Sequence, residues 1–185
     1  MRRVEGTGPG DGDAADAALR SLLASAGGAA RARERRHRER IAAAATFAGA
    51  LAAGASSGGT VEIATRGGHR FHGVVDDVGA HVVTMRTAPT RRTLVVIGAI
   101  VSLRAVDDGA LDGGEAGTDP TSLADHLDEA SAERLGVALH GADGSSIFGR
   151  LDGVGEDVAR ARTPTGGVIY VRLDSLEAVS LTGSG

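Results

Sequence analysis

With 185 residues, no Cys, no Trp, three Phe and one Tyr, the chain must fill its cores with Val, Ile, Leu and Ala; disulfides, Fe–S clusters and thiol chemistry are excluded, and a roomy cofactor pocket is not expected. All twenty basic residues are Arg, a skew of genomic base composition, and the net charge of −4 conceals a separation along the chain. Residues 31–40 carry six Arg against two Glu, whereas residues 105–133 hold nine acids and no Arg.

In chain order, residues 1–13 are rich in Gly, Asp and Pro with nothing to bury, which predicts a disordered tail. Residues 14–55 read as a helical region. Asp13 and Asp16 lead into a helix over 14–26, where Leu19, Leu22 and Leu23 share a face and Gly27-Gly28 offers a stop. A second helix is predicted from 29 to about 53. Glu34/Arg38 and Arg35/Glu39 support it at i,i+4 spacing, and Ile41, Ala44, Ala45, Ala48, Leu51 and Ala52 form a stripe flanked by Phe47 that should pack on the following domain. The Arg run and the apolar stretch 41–55 imitate a signal peptide in outline. The stretch begins too late for one, and it is too short and too weakly apolar for the roughly 20 residues of a membrane helix. A cytoplasmic protein with no membrane partner is expected.

A first β domain is predicted over 56–106. Ser56, Ser57, Gly58 and Gly59 form a turn, and Val61 and Ile63 then alternate with Glu62 and Ala64. Gly67-Gly68 makes a hairpin turn, and Phe71, Gly73 and Val75 continue one face opposite Arg70, His72 and Val74. Further strands are read over 82–86, through Val95, and over 100–103, five in all. An acidic, Gly-rich linker follows over 107–120, and a second domain over 121–182 opens with a helix capped by Thr121 or Ser122 and bearing Leu123, Leu127 and Ala130.

The second domain repeats the first. Shifting residues 61–103 by 76 positions (137 − 61) superposes them on 137–179 without a gap. Identities include Val61/Val137, Gly68/Gly144, Gly73/Gly149, Asp76/Asp152, Arg86/Arg162 and Val95/Val171; Ile63/Leu139, Phe71/Ile147, Val75/Leu151 and Ile100/Leu176 are near-identities. An internal duplication of a small β unit is inferred, and such small units usually lean on a partner.

A helix followed by five short strands, with a glycine in the middle of the second, resembles the Sm-like (LSm) small β-barrel. The carrying residues are Val61-x-Ile63, Gly68-x-x-Phe71-x-Gly73-x-Val75-x-x-Val78 and Ile97-x-x-Ile100, repeated as Val137-x-Leu139, Gly144-x-x-Ile147-x-Gly149-x-Leu151-x-x-Val154 and Leu173-x-x-Leu176. SH3-like and PRC-type barrels use similar strands and glycines. The Arg-rich helix ahead of tandem copies resembles a bacterial, actinobacterial-type family. The resemblance implies a mainly β fold with α: two tandem five-stranded Sm-like or SH3-like barrels, each preceded by a helix, able to self-associate through barrel edge strands. The nucleotide pocket of RNA-binding members is not implied, because Gly79, Val83 and Ile97-Gly98 occupy its places in the first copy, and Gly155, Ala159 and Leu173-Asp174 in the second.

For function, the arginine run Arg31, Arg33, Arg35, Arg36, Arg38 and Arg40, with Arg66 and Arg70 at the first hairpin, is the expected nucleic-acid or polyanion surface. No aromatic residues interleave for base stacking. Arg91-Arg92 adds a basic loop, and Arg160, Arg162 and Arg172 a second patch. No metal is expected, since His69 and His72 fall on opposite strand faces and His81 lies across a turn. Asp76-Asp77 reads as a polar turn, because Gly153 replaces Asp77 in the second copy. No catalytic residue or cofactor is expected. The chain reads as a non-enzymatic regulator associated with nucleic acid, or alternatively as a protein-interaction scaffold using barrel edges or the Ala-rich face around Phe47.

Overall fold

The computed structural model describes Arg33, Arg35, residues 46–106, Leu111 and residues 120–183. The chain divides between Ala44 and Ala45 into two units; of the first, only Arg33 and Arg35, both helical and exposed, fall among the described residues. The tail expected over 1–13, the helix over 14–26 and most of the linker over 107–120 lie outside them.

Helix α1 (Phe47–Ser57) opens at Thr46, which is extended (φ −105°, ψ 156°) and accepts the Gly49 N–H on its side-chain oxygen at 3.0 Å. The expectation of one helix from 29 to about 53 is corrected by a break at Thr46 and at its C-terminal end. Thr46 leaves helical conformation to cap a new start. Ser56 and Ser57, expected in a turn, complete the last turn by donating hydroxyl hydrogen bonds to the Ala52 and Gly54 carbonyls, each at 2.9 Å. Gly58, left-handed at φ 62°, ends the helix. Leu51 and Ala52 of the expected stripe are buried.

The strands follow as β1 (Thr60–Thr65), β2 (Arg70–Val78), β3 (Val82–Ala88), β4 (Arg91–Val96) and, after a 3₁₀ turn at Ile97–Ala99, β5 (Ile100–Ala105). Helix α2 (Leu123–Ala132) is closed by a capping box between Ser122 and Asp125. Then come β6 (Gly136–Gly141), β7 (Ser146–Val154), β8 (Val158–Arg162), β9 (Val168–Arg172), a 3₁₀ turn at Leu173–Ser175, and β10 (Leu176–Thr182). β1 and β6, β2 and β7, and the two 3₁₀ turns recur at the 76-residue offset. The helices join the series. Both start behind a hydroxyl cap, Thr46 or Ser122, and each carries a fully buried leucine, Leu51 or Leu127.

The expected class, mainly β with α, is the one the chain adopts. The ten strands among the described residues pair antiparallel in one open sheet of order β5-β1-β2-β3-β4-β10-β6-β7-β8-β9. Two apolar cores form on it. Leu51, Val61, Ile63, Phe71, Val75, Met85 and Val95 build the first; Leu127, Val137, Leu139, Leu151, Ala161 and Val171 build the second. Strand β10 serves both: Ala178 enters the first core, Leu176 and Val179 the second. Side chains on a strand point alternately to its two faces, so one strand can close two cores only where it lies between them.

Gly73 and Gly149 sit mid-strand in β2 and β7 because β3 and β8 approach them closely. A Cβ on Gly149 would lie 2.5 Å from the Arg162 carbonyl oxygen, and one on Gly73 still nearer that of Arg86. Gly73→Ala and Gly149→Ala are each expected to destabilise the fold by about 3 kcal/mol in urea unfolding, through overpacking against backbone. Gly98→Ala, where an added Cβ meets nothing within 4 Å, is the control and should stay within about 0.5 kcal/mol of wild type.

Candidate interaction surface

The halves meet where β10 pairs with β4 in the register Ala178↔Val95, Val179↔Leu94, Ser180↔Thr93, Leu181↔Arg92 and Thr182↔Arg91. In the strand order this is the single link between them. The joint carries polar groups that apolar packing alone would not need. Thr87, Thr93, Ser180, His140 and Ser146 form a hydrogen-bonded chain: the two threonine hydroxyls lie 3.1 Å apart, Thr93 and Ser180 3.0 Å, Ser180 and His140 Nε2 3.1 Å, and His140 Nδ1 and Ser146 2.9 Å. A neutral imidazole donates through one nitrogen and accepts through the other, which lets it sit mid-chain.

Two turns close over the end of this joint. The turn between β1 and β2 gives its Gly67 N–H to Glu177 Oε2 at 2.7 Å, and His69 Nε2 donates to the Gly141 carbonyl at 2.9 Å. Glu177 is buried, and its Oε1 has no hydrogen-bond partner; the Arg66 Nε stands 3.7 Å away. The His69 and His140 rings are 5.0 Å apart, with Phe71 edge-on to His140 at 5.1 Å. Burial, with the charge of His69 second, pulls the His140 pKa down from 6.5 to about 4, so the imidazole is neutral at the joint.

Beyond the joint lie two open edges. Among the described residues β5 pairs only with β1, and β9 only with β8. Val101 (58% exposed) and Val106 (51%) stand on or just past β5, and Val168 (45%) and Tyr170 (67%) on β9; the other exposed large apolar residues among those described are Phe47 and Phe148. The edges thus collect apolar surface, although Phe148 is as exposed on the interior strand β7.

Four of the eight expected polyanion residues fall among the described residues. Arg31, Arg36, Arg38 and Arg40 lie outside the described residues, and Arg33 and Arg35 are exposed. Arg66 leans toward Glu177. Arg70 is held by Glu62 at 2.8 Å, where His72 and Arg104 also converge, each at 3.2 Å. Burial alone would raise the Glu62 carboxyl, but Arg104, then His72 and Arg70, hold it below the ordinary glutamate value. Arg86 pairs with Asp76 at 3.0 Å and Arg162 with Asp152 at 2.8 Å. Exposed Arg91 and Arg92, with Arg86, line a groove of about 610 Å³ together with His126 and Glu129 of α2 and Glu133 at its C-cap. Among the described residues no three His, Cys, Asp or Glu converge as a metal site, and no helix is long and apolar enough to cross a membrane.

Sequence reasoning passed over Glu177, His140, Ser180 and Thr93. The signal was present as departures from the repeat: the 76-residue offset sets Val101 against Glu177, Ala64 against His140, Arg104 against Ser180 and Thr93 against Ile169. Comparison with protein-family models finds no match, and comparison with curated proteins likewise finds none.

His140 gives the joint a pH dependence. Its pKa is lower in the fold than in the unfolded chain, so the unfolded chain takes up the proton first as pH falls. Stability is expected to be level above about 6.5 and to decline between there and about 4, as read from urea midpoints across that range. His140→Gln, which keeps a donor and an acceptor but does not titrate, should flatten the decline above pH about 4.5, where ordinary carboxylates begin to contribute.

Proposed function

We propose that this protein is a non-enzymatic scaffold built from two Sm-like halves, whose work is done by strand pairing at its open edges β5 and β9. The observation that carries the reading is the pair of edge strands, each paired on one side alone among the described residues, that bear or adjoin Val101, Val106, Val168 and Tyr170. An uncovered strand offers a row of unmet N–H and C=O groups to another chain, and exposed apolar side chains add to that attraction. The same strand order in each half, 5-1-2-3-4, and one apolar core per half support a small curled sheet of the Sm-like kind.

The joint between β4 and β10 supplies a template. Carried over by 76 residues, its register places Ser102 of one chain opposite Val171 of another, Leu103 opposite Tyr170, Arg104 opposite Ile169 and Ala105 opposite Val168. Such a contact is head-to-tail, so it closes into a ring or runs on as a filament. Light scattering on a sizing column should give a mass above one chain that nuclease treatment leaves unchanged. Tyr170→Glu should weaken the association about tenfold. A chain that stays monomeric and captures no partner by either edge would remove this reading.

A second reading, polyanion binding, draws on exposed Arg33, Arg35, Arg91 and Arg92. It expects a labelled single-stranded RNA to bind with an affinity that falls on the order of tenfold between about 0.05 and 0.2 M salt. Replacing Arg91 and Arg92 by Ala should reduce that slope, whereas replacing Arg70, already held by Glu62, should not.

A further inference from the structure

Four strands are able in principle to meet at joints of the β4–β10 kind: the fourth strand of each half, β4 and β9, and the fifth, β5 and β10. Backbone hydrogen bonding does not distinguish them, but the side chains do. At the β1–β2 turn, a Cβ on residue 67 would stand 2.8 Å from Glu177 Oε2 and 2.8 Å from the Gly141 carbonyl oxygen, so the Gly67–Glu177 hydrogen bond requires glycine there. The second half has Asp143 at the corresponding turn position. Its Oδ1 accepts the Ser145 N–H at 2.9 Å, and the Ser145 hydrogen bonds hold the carboxyl below the ordinary aspartate value.

A β10 laid on the β9 of another chain would therefore press Glu177 onto an ionised Asp143, with a Cβ where the first half has none. On β5 the counterpart of Glu177 is Val101, which brings no charge to Asp143. The reverse error is opposed as well: β5 laid on β4 would set Arg104 in the buried place of Ser180 against Thr93 and leave the Gly67 N–H without its acceptor.

We infer that Gly67 and Glu177, set against Asp143 and Val101, form a sorting code that reserves β10 for the β4 of its own chain and leaves β5 as the strand that the β9 of a second copy accepts. This rests on the edge-pairing reading above, and the partner it names is another molecule of the same protein.

The test uses three variants of the full chain. Val101→Glu places a carboxylate before Asp143 and is expected to weaken self-association at least about tenfold in sedimentation, with amide exchange in β4 and β10 unchanged. Val101→Lys removes the same apolar contact but brings the opposite charge, and should associate at least as well as wild type. Gly67→Asp sets the repulsion inside the chain, and should speed amide exchange in β4 and β10 and yield larger, heterogeneous species. The inference is overturned if Val101→Glu associates like wild type, if Val101→Lys fails equally, or if Gly67→Asp leaves β4 and β10 as protected as before. A wild-type chain that is monomeric throughout would sink the edge-pairing reading instead, while the exchange of Gly67→Asp still decides whether residue 67 selects β10.

Discussion

The antiparallel contact of β4 with β10 is the constraint on which the described structure rests, because the first half does not complete its core alone. Ala178 of β10 belongs to the core built on α1 and the first five strands, while Leu176 and Val179 of the same strand belong to the core built on α2. Units of this size bury a small fraction of their surface, and a shared strand lets the second half contribute to the core of the first. The hydroxyl and imidazole chain from Thr87 to Ser146 contributes less to the strength of the joint than to its register. A one-residue slip of β4 on β10 would part Thr93 from Ser180, the link that joins the two halves of that chain, and an unpartnered buried polar group is costly.

Much of the fold was legible in the sequence, for a definite reason. Alternation of apolar residues and the spacing of glycines act locally, and both halves preserve them at one offset. The mid-strand positions of Gly73 and Gly149 were readable, although their cause is the close approach of the β3 and β8 backbones. The start of α1 was not readable, because Ala-rich sequence on both sides of Thr46 suits a helix and only the bond from Gly49 N–H marks the break. That a helix precedes each half was readable, but the residue-by-residue correspondence of α1 with α2 was not: one is mostly Ala and Gly, the other carries acids, and their common content is a hydroxyl cap and one buried leucine. The joint itself was least legible. Its members lie up to 110 residues apart, and they are the positions where the two halves stop resembling each other.

Charge is distributed by the same logic. The outer face of the first half gathers Glu62, Arg70, His72 and Arg104 into one cluster, whereas the matching positions in the second half are Ala138, Ser146, Phe148 and Ser180. Of those neutral residues Ser180 is buried, where an unmatched charge would be desolvated, whereas Ser146 and Phe148 are exposed. Arginine content alone therefore overstates the free positive surface, since Arg70, Arg86, Arg104, Arg162 and Arg172 are each held by a carboxylate. Exposed pairs of this kind add little stability, but they lower the field that a distant anion would feel.

The sharing of β10 also orders events during synthesis. Thr93 leaves the ribosome 87 residues before Ser180, the hydroxyl it pairs with. Throughout that interval β4 is an unfinished border on a nascent polypeptide, open to neighbouring chains on the same message, and the N-terminal half matures only after its C-terminal counterpart has been translated.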